Sequence, residues 1–253
     1  MIDHLSLAQV ALLAAAGIVA GAVNAIAGGG SLISFPALLG VGYPALTANV
    51  TNTVALVPGY LGGSLAYRPE LKGQQENIRF LGAISLLGGL AGSIVLVESP
   101  ASVFRAIVPW LILLSCGLLV IQPVVGKWVQ KQDAKGKRQV IPLAVTQFLA
   151  AVYGGYFGAG LGVMMLAVLG IFLHDTLQRL NALKGLMSLI INLVSAIFFA
   201  IFAPVAWFPV IIMAVASLLG GNLGVFVARR LSNTVLRALV VAFGVVVAVK
   251  LLI

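Results

Sequence analysis

The sequence predicts an all-α polytopic integral membrane protein with two inverted-topology repeats of about five segments each. Three observations carry this prediction. Hydrophobic residues make up 61% of the 253 residues and charged residues only 8%, apolar runs of helical length follow one another, and one pattern occurs twice. SLLGG at 85–89 returns at 217–221, and RA at 105–106 returns at 237–238, each 132 residues later. An apolar chain with a two-fold repeat is typical of pseudo-symmetric transporters.

Composition excludes a water-soluble globule and a nucleic-acid partner. So few charged side chains cannot cover a soluble protein of this length, so lipid is the main solvent of the surface. The net charge is +9, but the basic residues lie in short stretches between apolar runs, without interleaved aromatic residues. This distribution indicates a positive-inside bias. The single cysteine, Cys116, can form no intramolecular disulfide and is interpreted as a packing residue.

Eight apolar runs approach the ~20 residues that span a bilayer as a helix. They cover 5–26, 49–67, 78–97 and 103–124 in the first half, and 141–157, 183–202, 208–228 and 235–253 in the second. A shorter apolar run follows the first long run of each half, at 31–42 and 161–173. Each short run comes after a glycine cluster and cannot span alone, so we expect one broken or re-entrant helix per half.

The basic residues indicate how often each half crosses the membrane. The linker at 125–139 carries five basic residues and one acidic residue, which places it in the cytoplasm. Five crossings per half keep nearly all other basic residues on that side, whereas four would expose those of the second half outside. Five crossings also make the halves inverted copies. The predicted organisation is a first membrane repeat at 1–124, a cytoplasmic basic linker at 125–139 and a second membrane repeat at 140–253.

The two glycine clusters mark the predicted substrate site. A helix that begins inside the membrane offers unpaired N–H groups and the positive end of its dipole, and both attract anions. The residues concerned are Gly28, Gly29, Gly30 and Ser31 in the first break, and Gly158, Gly160 and Gly162 in the second. Ser31 is expected to cap the short helix or to donate its hydroxyl to an oxyanion. The alternative is that these glycines only permit close helix packing in lipid.

Polar residues of the long helices form the second part of the predicted site. Polar groups in hydrocarbon are costly and tend to face a pathway. The residues expected to line it are Asn24, Asn49, Thr51, Asn52, Asn181, Lys184 and Asn192. Aligning the halves sets Asn52 against Lys184, which makes the lysine a candidate counter-charge for an anion or a cytoplasmic gate. The alternatives are a lysine that snorkels at a helix end and amides that only hydrogen-bond helices together.

The sequence lacks the side-chain groupings that common enzyme reactions need. It contains no paired carboxylate, no Ser/His/Asp arrangement and no metal-ligand cluster, and His4 and His174 stand alone. The glycines at 158–162 lack the spacing, the preceding strand and the acidic residue of a dinucleotide-binding loop. We therefore expect no enzyme activity, no cofactor and no metal.

The glycine clusters and their flanks resemble a known family. Residues 21–39 (GAVNAIAGGGSLISFPALL), with NVTN at 49–52 and PG at 58–59, are similar to the first repeat of the sulfite exporter TauE/SafE family. YGGYFGAG at 153–160 and NALKGL at 181–186 are similar to its second repeat. The resemblance covers essentially the whole chain. It implies a multi-pass permease of a bacterial or archaeal inner membrane for sulfur-containing anions, without naming the anion, the direction or the coupling ion.

The residues and the resemblance together predict a membrane transporter. We expect it to move a small anion, sulfite or an organosulfonate such as sulfoacetate, by alternating access. A proton or a sodium ion is the candidate coupling ion, the lipid bilayer is the other partner, and the oligomeric state stays open. The alternatives are a passive anion channel and a non-transporting membrane assembly or scaffold protein.

Overall fold

The computed structural model describes residues 5–26, 28–130, 139–173, 175–227 and 233–252. This part of the chain forms ten α-helices and one 3-10 turn (Arg68–Leu71), without a β-strand. The helices are α1 (Leu7–Ile26), α2 (Ser31–Val41), α3 (Ala45–Ala66), α4 (Gln75–Glu98), α5 (Ala101–Gln130), α6 (Val140–Tyr156), α7 (Leu161–Phe172), α8 (Leu177–Phe202), α9 (Trp207–Val227) and α10 (Asn233–Leu252). The all-α polytopic prediction is confirmed.

The two short helices lie where the glycine clusters predict them. α2 has 11 residues and begins after Gly30, and α7 has 12 residues and begins after Gly160. α8 begins before the apolar run predicted at 183–202, because Thr176 caps it by accepting a hydrogen bond from the N–H of Arg179. α5 continues beyond 124 to Gln130. Residues 131–138 of the predicted linker lie outside the described residues.

The described helices include four that are long and apolar enough to cross a membrane by length and composition. These four spans are Leu7–Ala25, Gln75–Glu98, Ala101–Val125 and Leu177–Phe202. α2, α6, α7 and the described parts of α9 and α10 are apolar but shorter. Large apolar side chains point outward, and Trp110, Ile141 and Ile211 are each more than 60% exposed. Such apolar exposure around helices of this length is typical of a multi-pass membrane protein.

The closest helix contacts join the two halves of the chain. α1 packs on α9 through Gly17 and Gly21, and α4 packs on α6 through Gly88 and Gly92. A Cβ atom at Gly92 would overlap the carbonyl oxygen of Val152, so this approach requires glycine. The main helix contacts keep their pattern when each helix of the first half (α1–α5) is replaced by the helix at the same place in the second half (α6–α10), and the reverse. The α1–α9 contact then corresponds to α6–α4, and α3–α9 corresponds to α8–α4.

The order of contacts along each pair gives the relative direction of the helices. Gly17 meets Met213 and Gly21 meets Ser217, so α1 and α9 run in the same direction. By the same argument, α3 runs in the same direction as α9, and α4 runs in the same direction as α6 and α8. α3 and α8 run in opposite directions, because Ser64 lies near Gly185 and Tyr60 lies beside Asn192. α1 and α3 therefore run opposite to α6 and α8. These are the directions expected of inverted halves.

Candidate functional site

The first helix break is held by a side chain of the helix that precedes it. α1 ends at Ile26, Gly28 adopts a positive φ of 78°, and α2 begins at Ser31. The N–H of Gly30 donates to Asn24 Oδ1 at 2.7 Å. This N–H group is therefore paired, whereas the sequence predicted unpaired N–H groups at the break. A Cβ atom at Gly30 would overlap the carbonyl oxygen of Ala20. Gly30 therefore serves close packing here, which is the alternative interpretation of the cluster.

A buried amide connects this break to α3. Asn52 Nδ2 donates to Ser31 Oγ at 3.2 Å, and Asn52 Oδ1 accepts a hydrogen bond from Ser34 Oγ. The N-cap residue of α2 is Gly30 and Ser31 is the first residue of the helix, contrary to one of the two roles expected of Ser31. Ser34 was missed in the sequence, although it lies one turn after Ser31 on the same face of α2. These three side chains are buried and fix the start of α2 against α3.

The second break is fixed by two side chains that sequence reasoning missed. Gly158 and Gly160 both have positive φ, 75° and 74°, on either side of Ala159. The carbonyl oxygen of Ala159 accepts hydrogen bonds from Tyr153 Oη at 2.6 Å and from Ser115 Oγ at 2.9 Å. The only signal in the sequence was that each is a polar residue inside an apolar run. Together they tie the break to α5 and α6.

The two breaks lie against each other. A Cβ atom at Gly28 would stand 2.5 Å from the Cα of Gly162, and Gly29 packs on the side chain of Leu119. Asn49 Nδ2 donates to the carbonyl oxygen of Tyr156 at 3.0 Å, at the end of α6. The structure therefore brings together most of the predicted residues, namely Asn24, Gly28, Gly29, Gly30, Ser31, Asn49, Asn52, Gly158, Gly160 and Gly162.

The structure separates the remaining predicted residues from the breaks. Thr51 Oγ1 accepts a hydrogen bond from the N–H of Ala206, in the connection between α8 and α9. Lys184 lies on α8 next to Gly185, and Gly185 packs near Ser64 of α3. Ser64 is twelve residues beyond Asn52 in the same helix, which corresponds to about 18 Å along its axis. Lys184 therefore belongs to a second polar region, away from the glycine clusters.

A polar stripe runs along one face of α8. Its members follow helical spacing and are at most 5% exposed: Lys184, Ser188, Asn192 and Ser195. Lys184 Nζ donates to Asn181 Oδ1 at 3.1 Å. Asn192 Nδ2 donates to the carbonyl oxygen of Ser188 at 2.8 Å, and its side chain lies beside the phenol of Tyr60. A lysine that is 5% exposed does not snorkel to the surface.

The fold and the two polar regions define the class of protein. Two broken helices meet inside an apolar helical bundle, and a buried lysine lies on α8, one residue before the contact of Gly185 with α3. Irregular backbone at membrane depth is tolerated where it is enclosed by protein or lines a cavity, as in the discontinuous helices of transporters. The arrangement is that of a membrane transporter.

Comparison with known proteins identifies the family. The family model "Sulfite exporter TauE/SafE" matches residues 13–251, so the chain belongs to the TauE/SafE family. It is 30% identical over 241 residues to a "Probable membrane transporter protein" of Haemophilus influenzae, covering 95% of this chain and 93% of the relative. It is 24% identical over 238 residues to "Probable membrane transporter protein YfcA" of Escherichia coli K12, covering 92% and 86%. No solved structure matches the chain.

These matches confirm the predicted resemblance and the coarser part of the predicted function. The protein is a multi-pass integral membrane transporter of this family, and the names of its relatives indicate transport rather than an enzyme reaction. A relative from Sinorhizobium sp., "Probable membrane transporter protein ORF9", is 27% identical over 258 residues, covering 96% of this chain and 92% of the relative. None of these three relatives has a substrate in its name.

Proposed function

We propose that the protein carries a small anion, sulfite or an organosulfonate such as sulfoacetate, across the cell's inner membrane by alternating access. The observation that carries the proposal is Lys184. Its side chain is 5% exposed, and within the described part of the chain its one partner is the neutral amide of Asn181. A buried cation without a counter-charge is costly in hydrocarbon. A bound anion removes that cost, so the site favours negatively charged substrates.

The helix breaks supply a second group of contacts for an anion. Their backbones touch at Gly28 and Gly162. In the part of the chain that the structure describes, the N–H groups of Gly160 and Gly162 have no hydrogen-bond partner. Such N–H groups at the start of a helix attract anions, and the helix dipole adds to the attraction. The proposed route therefore connects the Lys184 region with the two breaks.

The proposed mechanism rests on inverted halves. The helix directions support this organisation, in which one bundle rocks against the other and exposes the route to each side in turn. A proton or a sodium ion is proposed as the coupling ion. The basic linker is proposed to face the cytoplasm. Whole-cell labelling of a cysteine introduced at Lys135, with Cys116 replaced by Ala, tests this orientation, and labelling from the outside contradicts it.

The choice of a sulfur oxyanion rests on the family. Its description is "Sulfite exporter TauE/SafE", and this supports sulfite and organosulfonates among the small anions. The buried lysine supports an anion independently of that description. The two lines of support agree on charge, and the family alone supports sulfur chemistry.

The experiment measures uptake of labelled sulfite, sulfoacetate and taurine into proteoliposomes, with and without an imposed proton or sodium gradient. Lys184→Met removes the buried charge and keeps an unbranched apolar side chain. The matched control is Lys72→Met, which removes the same charge from an exposed side chain. We expect saturable uptake and counterflow of one anion in the wild type and in the control. We expect neither in Lys184→Met.

Each contrary result has a specific meaning. Uptake that does not saturate and shows no counterflow identifies a passive channel. Unchanged KM and maximal rate in Lys184→Met refute the role of the buried cation. No uptake of any of the three compounds by the wild type contradicts the proposed substrate class.

A further inference from the structure

Two buried hydroxyl groups beside Lys184 have no hydrogen-bond partner among the described residues. Ser64 Oγ and Ser188 Oγ are both buried, with residue exposures of 6% and 3%. Serine and threonine in apolar helices usually donate to the carbonyl four residues earlier. Thr53 and Ser93 of this chain do so. Ser64 and Ser188 do not, although an unpaired buried hydroxyl is costly.

The two hydroxyl groups lie on facing helices at the level of Lys184. Ser64 Oγ would be 3.8 Å from a Cβ atom built at Gly185, the residue after the lysine. Apart from Lys184, Leu186 and the backbone of α8 itself, no other described atom comes within 4 Å of that Cβ position. Ser188 follows Lys184 by one turn of α8 and shares its face. Glycine at 185 therefore leaves space between α3 and α8, next to a cation and two free hydroxyl groups.

We infer that Ser64 and Ser188 complete an oxyanion-binding site with Lys184, and that this site selects anions with several oxygen acceptors over halides. The ammonium group has three donors, of which one is directed at Asn181. Two ammonium donors and two hydroxyl donors remain. Sulfite, sulfonate and carboxylate groups accept several hydrogen bonds at once, and bonds to a charged acceptor are the stronger ones. Chloride has the charge but not the separate acceptor oxygens.

The inference rests on the proposed function, because it requires an anion at Lys184. A site built from hydrogen-bond donors discriminates strongly against ligands that leave those donors unpaired. The lysine supplies attraction for any anion, and the serines supply the preference among anions. Removal of the serines should therefore change selectivity and KM while transport of small anions continues.

The experiment uses Ser64→Ala, Ser188→Ala and the double variant in proteoliposomes. It measures KM and maximal rate for labelled sulfoacetate, and competition by unlabelled sulfite and by chloride. Ser93→Ala is the matched control, because Ser93 is also a buried serine but its hydroxyl donates to the carbonyl oxygen of Gly89 within α4. It belongs neither to the polar stripe of α8 nor to the helix breaks.

We expect KM for sulfoacetate to rise about tenfold in each single variant and more in the double variant. Competition by sulfite should weaken in parallel while competition by chloride stays constant, and Ser93→Ala should behave as the wild type. An unchanged KM and unchanged sulfite preference in the double variant, in a preparation where Lys184→Met abolishes uptake, overturn the inference and leave the proposed function standing. Absence of anion uptake by the wild type overturns both.

Discussion

The contact between α4 and α6 allows the effect of one methyl group to be worked out in advance. In Gly92→Ala the new Cβ atom would overlap the carbonyl oxygen of Val152 and would lie 2.9 Å from its carbonyl carbon and 3.0 Å from the amide nitrogen of Tyr156. Ordinary contact begins at about 3.4 Å, and the carbonyl oxygen is the most overlapped of the three atoms, so the helices must separate by more than about 1 Å. All three atoms belong to backbone, so no side chain can rotate away.

The energetic consequence follows from the packing along the whole interface. A gap of about 1 Å removes about half of the dispersion attraction of each contact it opens. Overpacking of this kind costs about 1–3 kcal/mol. Gly117→Ala is the matched control, because Gly117 is also in a helix and a Cβ atom there meets nothing within 4 Å. That control should be neutral or stabilising, since alanine favours a helix by about 1 kcal/mol over glycine.

The measurement is the free energy of unfolding of purified protein in detergent, determined with a denaturant for the wild type and both variants. We expect Gly92→Ala to lose about 1–3 kcal/mol and Gly117→Ala to lose nothing. Equal stability of the two variants would show that α4 and α6 do not approach as closely as the structure indicates. It would refute the argument that glycine is required at this contact.

Two further predictions concern the helix breaks. Gly28→Ala combines a positive φ of 78° with a clash against the second break, whereas Gly42→Ala combines a φ of 107° with open space. Both variants should lose about 1–3 kcal/mol of unfolding free energy through backbone strain. Only Gly28→Ala should also lose anion uptake. Uptake in both variants as fast as in the wild type would contradict this prediction. Tyr153→Phe and Ser115→Ala each remove one donor to the Ala159 carbonyl and should cost about 0.5–1.5 kcal/mol. The double variant should cost more than the sum in a double-mutant cycle, because the carbonyl then loses both donors, and strict additivity would contradict this.

The fold was accessible from the sequence because lipid imposes simple requirements. A helix in lipid must be apolar and about 20 residues long, so composition located α1, α4 and the start of α5 within a few residues of their observed bounds. The short helices were equally visible, because glycine clusters interrupt the apolar pattern directly before Ser31 and Leu161. The start of α8 was missed because its first turn is polar and depends on a cap at Thr176, not on hydrophobicity.

The candidate site was only partly accessible, for reasons of geometry. Alignment of the halves sets Asn52 against Lys184, but equivalence under pseudo-symmetry does not imply proximity. Asn52 lies at the first break, whereas Lys184 of α8 lies near Ser64, about 18 Å further along α3. The hydrogen bond from the Gly30 N–H to Asn24 Oδ1 could not be predicted either, because it depends on how the chain turns between α1 and α2. Ser64 and Ser188, like Ser195, are distinguished from the other buried serines of the described residues only by the hydrogen bonds that they do not make.

The crossed packing of the two halves has a consequence for biosynthesis. Gly21 of α1 can contact Ser217 of α9 only after about 200 more residues have been synthesised. At a synthesis rate of about 5–20 residues per second this takes roughly 10–40 s. Gly88 of α4 finds Ala151 of α6 after about 60 residues, within roughly 3–12 s. The α4–α6 pair is therefore available first, while the glycine face of α1 stays against lipid until α9 is inserted. Although α1 precedes the other described helices in the chain, it is among the last of them to reach its final neighbours, so a chain stopped before α9 leaves α1 without its main packing surface.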